Sequence, residues 1–390
     1  SQVMKPLFSI VLISKNEENT LPKCLDSLEE FRQLGGEIIL ADTGSTDKTV
    51  EIANQYGCKV FNINATVSVS PEMCDAINKQ LDERDLLVMP SDGVSIFDFA
   101  SARNQATAMA TNDFIISLDC DEVYTSLDIE AINKLIESGV DQLDYQFIYA
   151  HNEDGSPSMQ FRQSKAFNRK KLQWRGVIHE VLHTTERVNS VSVTEDVIKL
   201  EHWQEPGKES RSKYLLGLAY DCYINPDNDR NKHYYARELM YQARPYSAIK
   251  HFEEHIQMDK WDIEKAQSYT YIGDCYGMLD DQQEQMASYA KAIIIDPNRA
   301  EPFVKSAWAM LTNGSFKAAI GYAKAAQEVD WTDYYQNHIS HYTDEPHRIM
   351  YLAYGYIGNI SMAQYHINKC LWYKPNDPYY LDHRKYYFND

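Results

Sequence analysis

The chain has 390 residues, enough for about two to three domains, and its 44% hydrophobic and 24% charged residues are an ordinary globular balance. Its formal net charge is −19, with acid in excess in both halves, which argues against a nucleic-acid binder built on a basic face. No stretch approaches the ~20 apolar residues of a membrane span. The seven scattered cysteines, without a C-x-x-C pair, argue against a disulfide framework or thiolate zinc site and fit a reducing cytoplasm.

The first apolar run, FSIVLIS (8–14), is short, leads into KNEEN and lacks a small-residue cleavage site, so it predicts a strand and not a signal peptide. Ser1 in place of Met implies a trimmed start. A helical pattern follows through LPKCLDSLEEF. Next come a strand EIILAD (37–42), a turn TGSTD, a helix KTVEIANQYG and a third strand CKVFNIN. SARNQATAMAT reads as a helix leading into the strand DFIISLD. Buried strands separated by helices predict a mostly parallel sheet covered on both faces. Residues 65–94, with a plausible helix PEMCDAINKQLDERD and a PSDG turn, read as an insertion. From Tyr145 to His202 the segments DYQFIYAHN, MQFRQSKAFN, VIHEVLHTTE and VIKLEHW predict strands and hairpins. QEPGKES is expected to connect to a helix at Ser212–Asn225.

The C-terminal part is repetitive. Ile272, Gly273, Tyr276, Tyr289, Ala292 and Pro297 fall at the spacings of a 34-residue helix–turn–helix repeat, with Tyr269 at the tryptophan position. Ala248 and Phe252 belong to an earlier unit. Phe303, Ala319 and Ala323 belong to a later one, and Tyr354, Ala363 and Pro375 to a last. Four units are expected, the last connection lengthened by VDWTDYYQNHISHYTDEPHR.

The chemistry gathers at FIISLDCDEVYT (114–125), where three carboxylates crowd the end of a strand. Ligands of open parallel sheets bind at the carboxyl ends of strands. If the stretch is extended, Asp119 and Asp121 share a face and could hold one hard cation; a surface turn or helix cap is the plainer alternative. No phosphate loop, G-x-S-x-G elbow, H-E-x-x-H pair or dinucleotide fingerprint competes.

Three companions, ISKNEENTLPKCLDSL (13–28), IILADTGSTDKTVEIA (38–53) and FDFASARNQATAMATNDFIISLDCDE (97–122), together resemble the nucleotide-sugar-binding domain of family 2 glycosyltransferases, inverting enzymes of the GT-A fold. The resemblance covers roughly 7–60 and 95–205, departs at Lys15, where many relatives carry an aromatic, and offers no counterpart for 65–94. It implies that Asp42 accepts a hydrogen bond from a uracil-type base, with Ser14 and Glu17 in the same pocket. Arg103 would pair with the base edge or the diphosphate. Asp119 would serve both donor and metal, and Asp121 the metal. The same residues admit plainer roles: Asp42 as a turn residue satisfying its own loop, and Arg103 as the counter-charge of the acidic trio.

LQWRGVIHEVLH (172–183) resembles the W-x-G-x-x-H-E segment of such enzymes, which implies Glu180 as the general base and His179 as the second candidate. On a strand their side chains would point to opposite faces. His202, just after the last strand of this domain, is the candidate third metal ligand. The basic run 162–175 would grip an acidic acceptor or the diphosphate, or form a solvated hairpin. Cys120 is expected to be buried.

The expected architecture is an α/β GT-A domain over 1–205 (65–94 an insertion), a connecting helix at 206–230 and tetratricopeptide-like all-α repeats over 231–390. By resemblance the activity is inverting transfer from a nucleotide-diphosphate sugar, a UDP-sugar first, to a hydroxyl or thiol, with Mn²⁺ or Mg²⁺. The repeats would recognise a peptide, protein or glycan acceptor, as in the peptide S-glycosyltransferases this arrangement resembles, or mediate a homodimer. A non-enzymatic scaffold with a degenerate sugar-nucleotide-binding domain and glycosylation of modified viral DNA bases are the alternatives, nucleic acid being disfavoured by charge.

Overall fold

The computed structural model describes residues 4–205, 211–259 and 261–389. They divide into two compact units. The first is Ser1–Lys79, Val88–Ala150 and Phe161–Ile224; the second is Gln80–Leu87, His151–Gln160 and Asn225–Asp390.

The first unit begins with β1 (Phe8–Ser14), two short helices α1 (Leu21–Asp26) and α2 (Glu29–Gln33), β2 (Glu37–Asp42), α3 (Thr49–Gln55) and β3 (Lys59–Asn62). The single expected helix after β1 is thus two, broken at Ser27–Leu28. The insertion supplies a ribbon, β4 (Thr66–Val69) with β5 (Val94–Phe97), around α4 (Pro71–Asn78). Then follow α5 (Phe99–Ala108), β6 (Phe114–Ser117), β7 (Glu122–Leu127), α6 (Ile129–Glu137), β8 (Gln142–His151) and β9 (Pro157–Asn168). The hairpin β10 (Gln173–Arg175) and β11 (Val181–His183), then β12 (Ser190–Ser192), β13 (Ile198–His202) and α7 (Arg211–Ile224), complete it. The expected connection at 204–210 lies mostly outside the described residues.

The main sheet runs β3-β2-β1-β6-β9-β8-β13-β7, with β12 beside β8. The β3-β2-β1-β6 half is parallel, as expected. Beyond it the sheet is mixed, because β9 joins β6 and β7 joins β13 antiparallel. β1 and β2 are continuous apolar runs because both faces are covered. Phe8, Ile10 and Leu12 enter one core with Leu21, Leu25 and Phe31, while Val11 enters another with Ala100, Ala106 and Trp174. The alanines of α5 bring that helix close to the sheet.

The second unit pairs its helices. The pairs are α8 (Asp229–Tyr241) with α9 (Pro245–Met258), α10 (Asp262–Met278) with α11 (Gln282–Ile295), α12 (Glu301–Thr312) with α13 (Phe316–Gln327), and α14 (Asp344–Tyr356) with α15 (Ile360–Tyr373). α16 (Pro378–Arg384) packs on α15. These are the four expected repeats, and the long last connection carries a 3₁₀ turn at Ile339–Tyr342. Gly273 is where it is because a Cβ there would meet the Tyr289 ring at 2.4 Å. Residues 80–87 lie along α9: Arg244 donates to the carbonyls of Leu86 (2.9 Å) and Leu87 (2.7 Å), and Ser247 Oγ accepts from the Asp82 amide (2.9 Å). All seven cysteines are free and buried.

Candidate active site

The parallel register sets Ser14 beside Asp42 at the carboxyl ends of β1 and β2. The Asp42 carboxylate is saturated there. Oδ1 accepts from Ser14 Oγ (2.9 Å) and Ser45 Oγ (2.5 Å); Oδ2 accepts from the amides of Gly44 (3.1 Å) and Ser45 (2.8 Å). Its geometry is that of a residue closing its own turn. Glu17 lies in the next loop, where its amide donates to Thr49 Oγ1 (2.7 Å) and its carbonyl receives the first amides of α1.

One strand over, β6 ends at Ser117, and the acidic trio occupies a turn, not the extended stretch considered from sequence. The Glu122 amide donates to the Asp119 carbonyl at 3.1 Å. The three carboxylates therefore diverge and find different partners. Asp119 turns to Arg103, whose Nη2 donates to Oδ1 at 2.7 Å. Burial pushes this carboxyl up, but the Arg103 guanidinium outweighs it and, with Lys165, holds it below the usual carboxylate range. Asp121 Oδ2 lies 2.8 Å from His202 Nε2. Glu122 turns inward, is 1% exposed, and accepts from the Asp119 amide at 2.8 Å. Burial, then the Asp119 charge, raises it to about 8, so it is mostly protonated at neutral pH. Cys120 is buried with its thiol toward the Ile13 carbonyl, as expected.

Arg103 is the hub. Asp98 caps α5 by accepting from the Ser101 amide (3.0 Å), and Arg103 leaves the helix one turn later, 6% exposed. Its Nη1 donates to Ser117 Oγ (2.9 Å), its Nε pairs with Glu180 Oε1, and its guanidinium lies 5.3 Å from the centre of the Trp174 ring. Two acids expected in separate roles, Asp119 and Glu180, thus share one cation.

Glu180 is delivered by a loop, correcting the strand expected over 177–180. Only Val181–His183 pairs, with β10. His179 has φ +54° and Gly176 φ +110°, and a Cβ at Gly176 would lie 3.3 Å from Glu180 Cα. The loop is pinned by α5, whose Phe99 and Ala100 amides donate to the Val177 and Gly176 carbonyls (3.0 and 3.2 Å). It is pinned again by α7, where Asp221 Oδ2 accepts from the Val177 amide (2.8 Å). His179 faces away from this hub to Tyr214, with ring centres 6.5 Å apart.

His202 is the last residue of β13, not a residue beyond it. Its Nδ1 lies 3.0 Å from the Tyr149 carbonyl, and its ring is stacked on Tyr149 at 5.4 Å. Burial lowers its pKa, but Asp121 overrides this and raises it to about 9. The carbonyl contact holds a proton on Nδ1, so a cation would bind Nε2 by displacing the proton that Nε2 shares with Asp121. Asp121 and His202 thus fit a divalent ion. Asp119, drawn to Arg103, does not join them: among the described residues Asp119, Asp121 and His202 do not bring one ligand atom each to within 4.8 Å of the other two.

The basic run is largely consumed by structure. Arg162 pairs with Asp144, Lys170 with Asp113 (3.2 Å) and Lys171 with Asp141 (3.1 Å), while Arg169 donates to the carbonyls of Thr107, in the last turn of α5, and Ala110, just beyond it (2.9 and 2.8 Å). The charge of Lys165 acts on Asp119 and Glu122. Ser117, Trp174, Tyr149 and the special position of Lys165 escaped sequence reasoning. Only Trp174 carried a signal, two residues before the loop glycine.

A mixed sheet with a parallel β3-β2-β1-β6 half, in a chain that continues into four helix pairs, is a GT-A-like α/β domain followed by a tetratricopeptide-like array. Residues 9–67 and 92–198 match the model of Glycosyl transferase family 2, so the N-terminal domain is similar to that family. The match breaks inside the stretch for which the sequence suggested no counterpart. A TPR repeat-containing protein of Synechococcus elongatus is 31% identical over 177 residues, 45% of this chain and 35% of its own length. The 4,4'-diaponeurosporenoate glycosyltransferase of Staphylococcus haemolyticus is 42% identical over 55 residues, 14% of either chain. The chain thus spans about a third or less of these relatives. The crystal structure of MamA aligns with 44% of this chain and 96% of its own, at 17% identity and a TM-score of 0.36. Among the described residues no helix is long and apolar enough to cross a membrane.

Proposed function

We propose that this chain transfers one sugar, with inversion and in a single displacement, from a nucleotide-diphosphate donor to a hydroxyl or thiol of a peptide, protein or glycan. A UDP-sugar is the first donor to try. The supporting observation is the Arg103 bridge between Asp119 and Glu180 beside the Asp121–His202 pair. Glu180 acts as the base: Arg103 fixes Oε1, and Oε2 takes the acceptor proton. Arg103 and Lys165 offer positive charge to the leaving diphosphate. Mn²⁺ or Mg²⁺ would be held by Asp121 and His202, and when bound would neutralise charge developing on the diphosphate. Ser14 and Glu17 line the nucleotide end. The repeats would present the acceptor or pair two copies of the chain.

The test is release of nucleotide from UDP-sugars by the purified chain with Mn²⁺. Turnover that EDTA and Asp121→Ala abolish supports the reading. Absence of both turnover and any donor-dependent rise in melting temperature overturns it. One observation favours a second reading, a non-enzymatic scaffold: the Asp42 carboxylate already accepts four hydrogen bonds from its own strand ends and turn, leaving no lone pair for a base. That reading expects partner binding unchanged by Asp121→Ala.

A further inference from the structure

The core of the first repeats is polar where a helical repeat is ordinarily apolar. His233 of α8, His255 of α9 and Glu264 of α10 are all buried, at 0%, 0% and 3% exposure. One ligand atom from each lies within 4.8 Å of the others. We propose that these three side chains, with Asp259, form a structural binding site for a zinc-class divalent ion within the repeat unit, separate from the transferase centre.

Two further observations point to a cation. First, two carboxylates converge on a single ring nitrogen: Glu264 Oε1 lies 3.0 Å and Asp259 Oδ2 2.9 Å from His255 Nε2. That nitrogen has at most one proton to give. Second, Asp259 Oδ2 is buried, and its contact with His255 lacks hydrogen-bond geometry, so this oxygen has no hydrogen bond. An unsatisfied buried carboxylate oxygen is costly. A divalent ion answers both observations. Two imidazoles and two carboxylates are a donor set suited to Zn²⁺. Tetrahedral bonds of about 2.1 Å give ligand–ligand edges of about 3.4 Å, so the oxygen–nitrogen spacings need open by only a few tenths of an ångström.

Ser268 Oγ bridges His233 Nδ1 (2.8 Å) and His255 Nδ1 (2.7 Å), which fixes both rings and leaves His255 Nε2 facing the carboxylates. The Gln336 amide, whose Nε2 lies 3.0 Å from His233 Nε2, is the donor that an ion bound at that nitrogen displaces. Arg230 acts on Glu264 from outside the group, and Arg237 and Arg230 both act on His233. The rival arrangement is proton-only, with His255 as an imidazolium facing both carboxylates. An ion would tie α8, α9 and α10 together, so that binding energy becomes folding energy of the first repeats.

The experiment uses the full chain with Asp121→Ala and His202→Ala, which removes the proposed transferase cation, so the two metal questions fail separately. After loading with Zn²⁺ and dialysis, one zinc per chain is expected by elemental analysis, with a Zn²⁺-dependent rise in melting temperature. Co²⁺ in its place should give the intense visible bands of a tetrahedral site. Adding Glu264→Gln, which keeps size and hydrogen bonding, should weaken Zn²⁺ binding about tenfold or more. His233→Asn should do the same. Less than a tenth of an equivalent of zinc after loading, or an unshifted melting temperature, overturns the site without relying on any repeat variant. Unchanged affinity in Glu264→Gln overturns it as well.

Discussion

Glu122 and Glu180 lie on either side of Asp119 and Arg103, and their environments set them opposite tasks. Burial and the Asp119 charge raise Glu122 to about 8, against ~4.3 in an unfolded chain. Between these values the native state keeps a proton that the unfolded chain has lost, so this contribution to stability is full below about pH 4 and is lost as pH rises through about 8. Glu122→Gln keeps an acceptor for the Asp119 amide and cannot ionise. Its melting temperature, followed by calorimetry, should gain on the wild type from about pH 5 to about pH 8 and level off above; a constant gap over that range would refute the assignment. Glu180→Gln should instead cut kcat by about 10²–10⁴ while donor affinity stays within about threefold. An equal loss in donor binding would make Glu180 a pocket residue and not a base. Little of this division was legible in the sequence. The trio reads the same whether extended or turned, and only the Asp119–Glu122 turn sends its members to three partners. The saturation of Asp42 depends on Ser45 folding back, and the role of Lys165 on the register of β9 against β6.

At the scale of elements, legibility followed how much of the signal is local. β1 and β2 announce themselves because a strand covered on both faces must be apolar throughout. The repeats do so because small residues at fixed spacing are the condition for close helix packing. Gly273→Ala tests that condition directly. With a Cβ 2.4 Å from the Tyr289 ring, repacking should cost about 1–3 kcal/mol in urea unfolding despite the better helix propensity of alanine. A neutral or stabilising result would mean that Tyr289 has room to move. The loop at 176–180 was illegible for the opposite reason. His179 takes a positive φ without being glycine, because α5 and α7 hold the backbone on both sides, and nothing local in the sequence reports that.

For the molecule as a whole, the division into units does not follow chain order. Residues 80–87 and 151–160 belong with 225–390, so a cut at 225 removes part of the second unit. A fragment of 225–390 leaves Arg244 without the carbonyls of Leu86 and Leu87 and Ser247 without Asp82 and Asp85. Amide hydrogen exchange along α9 should be faster in the fragment than in the full chain by about tenfold or more, as expected when several hydrogen bonds of ~1 kcal/mol each are lost. Equal protection would show that 80–87 contributes nothing to the repeats.

The distribution of sulfur makes the unfolding of this molecule readable without any added label. Cys24, Cys58, Cys74, Cys120 and Cys222 are shielded in the first unit, Cys275 and Cys370 in the second. A short pulse of alkylating reagent followed by peptide mass analysis would stamp each half with the moment at which it opens. Two sets of stamps arriving together would mark one cooperative transition, and two arriving apart would time the halves independently.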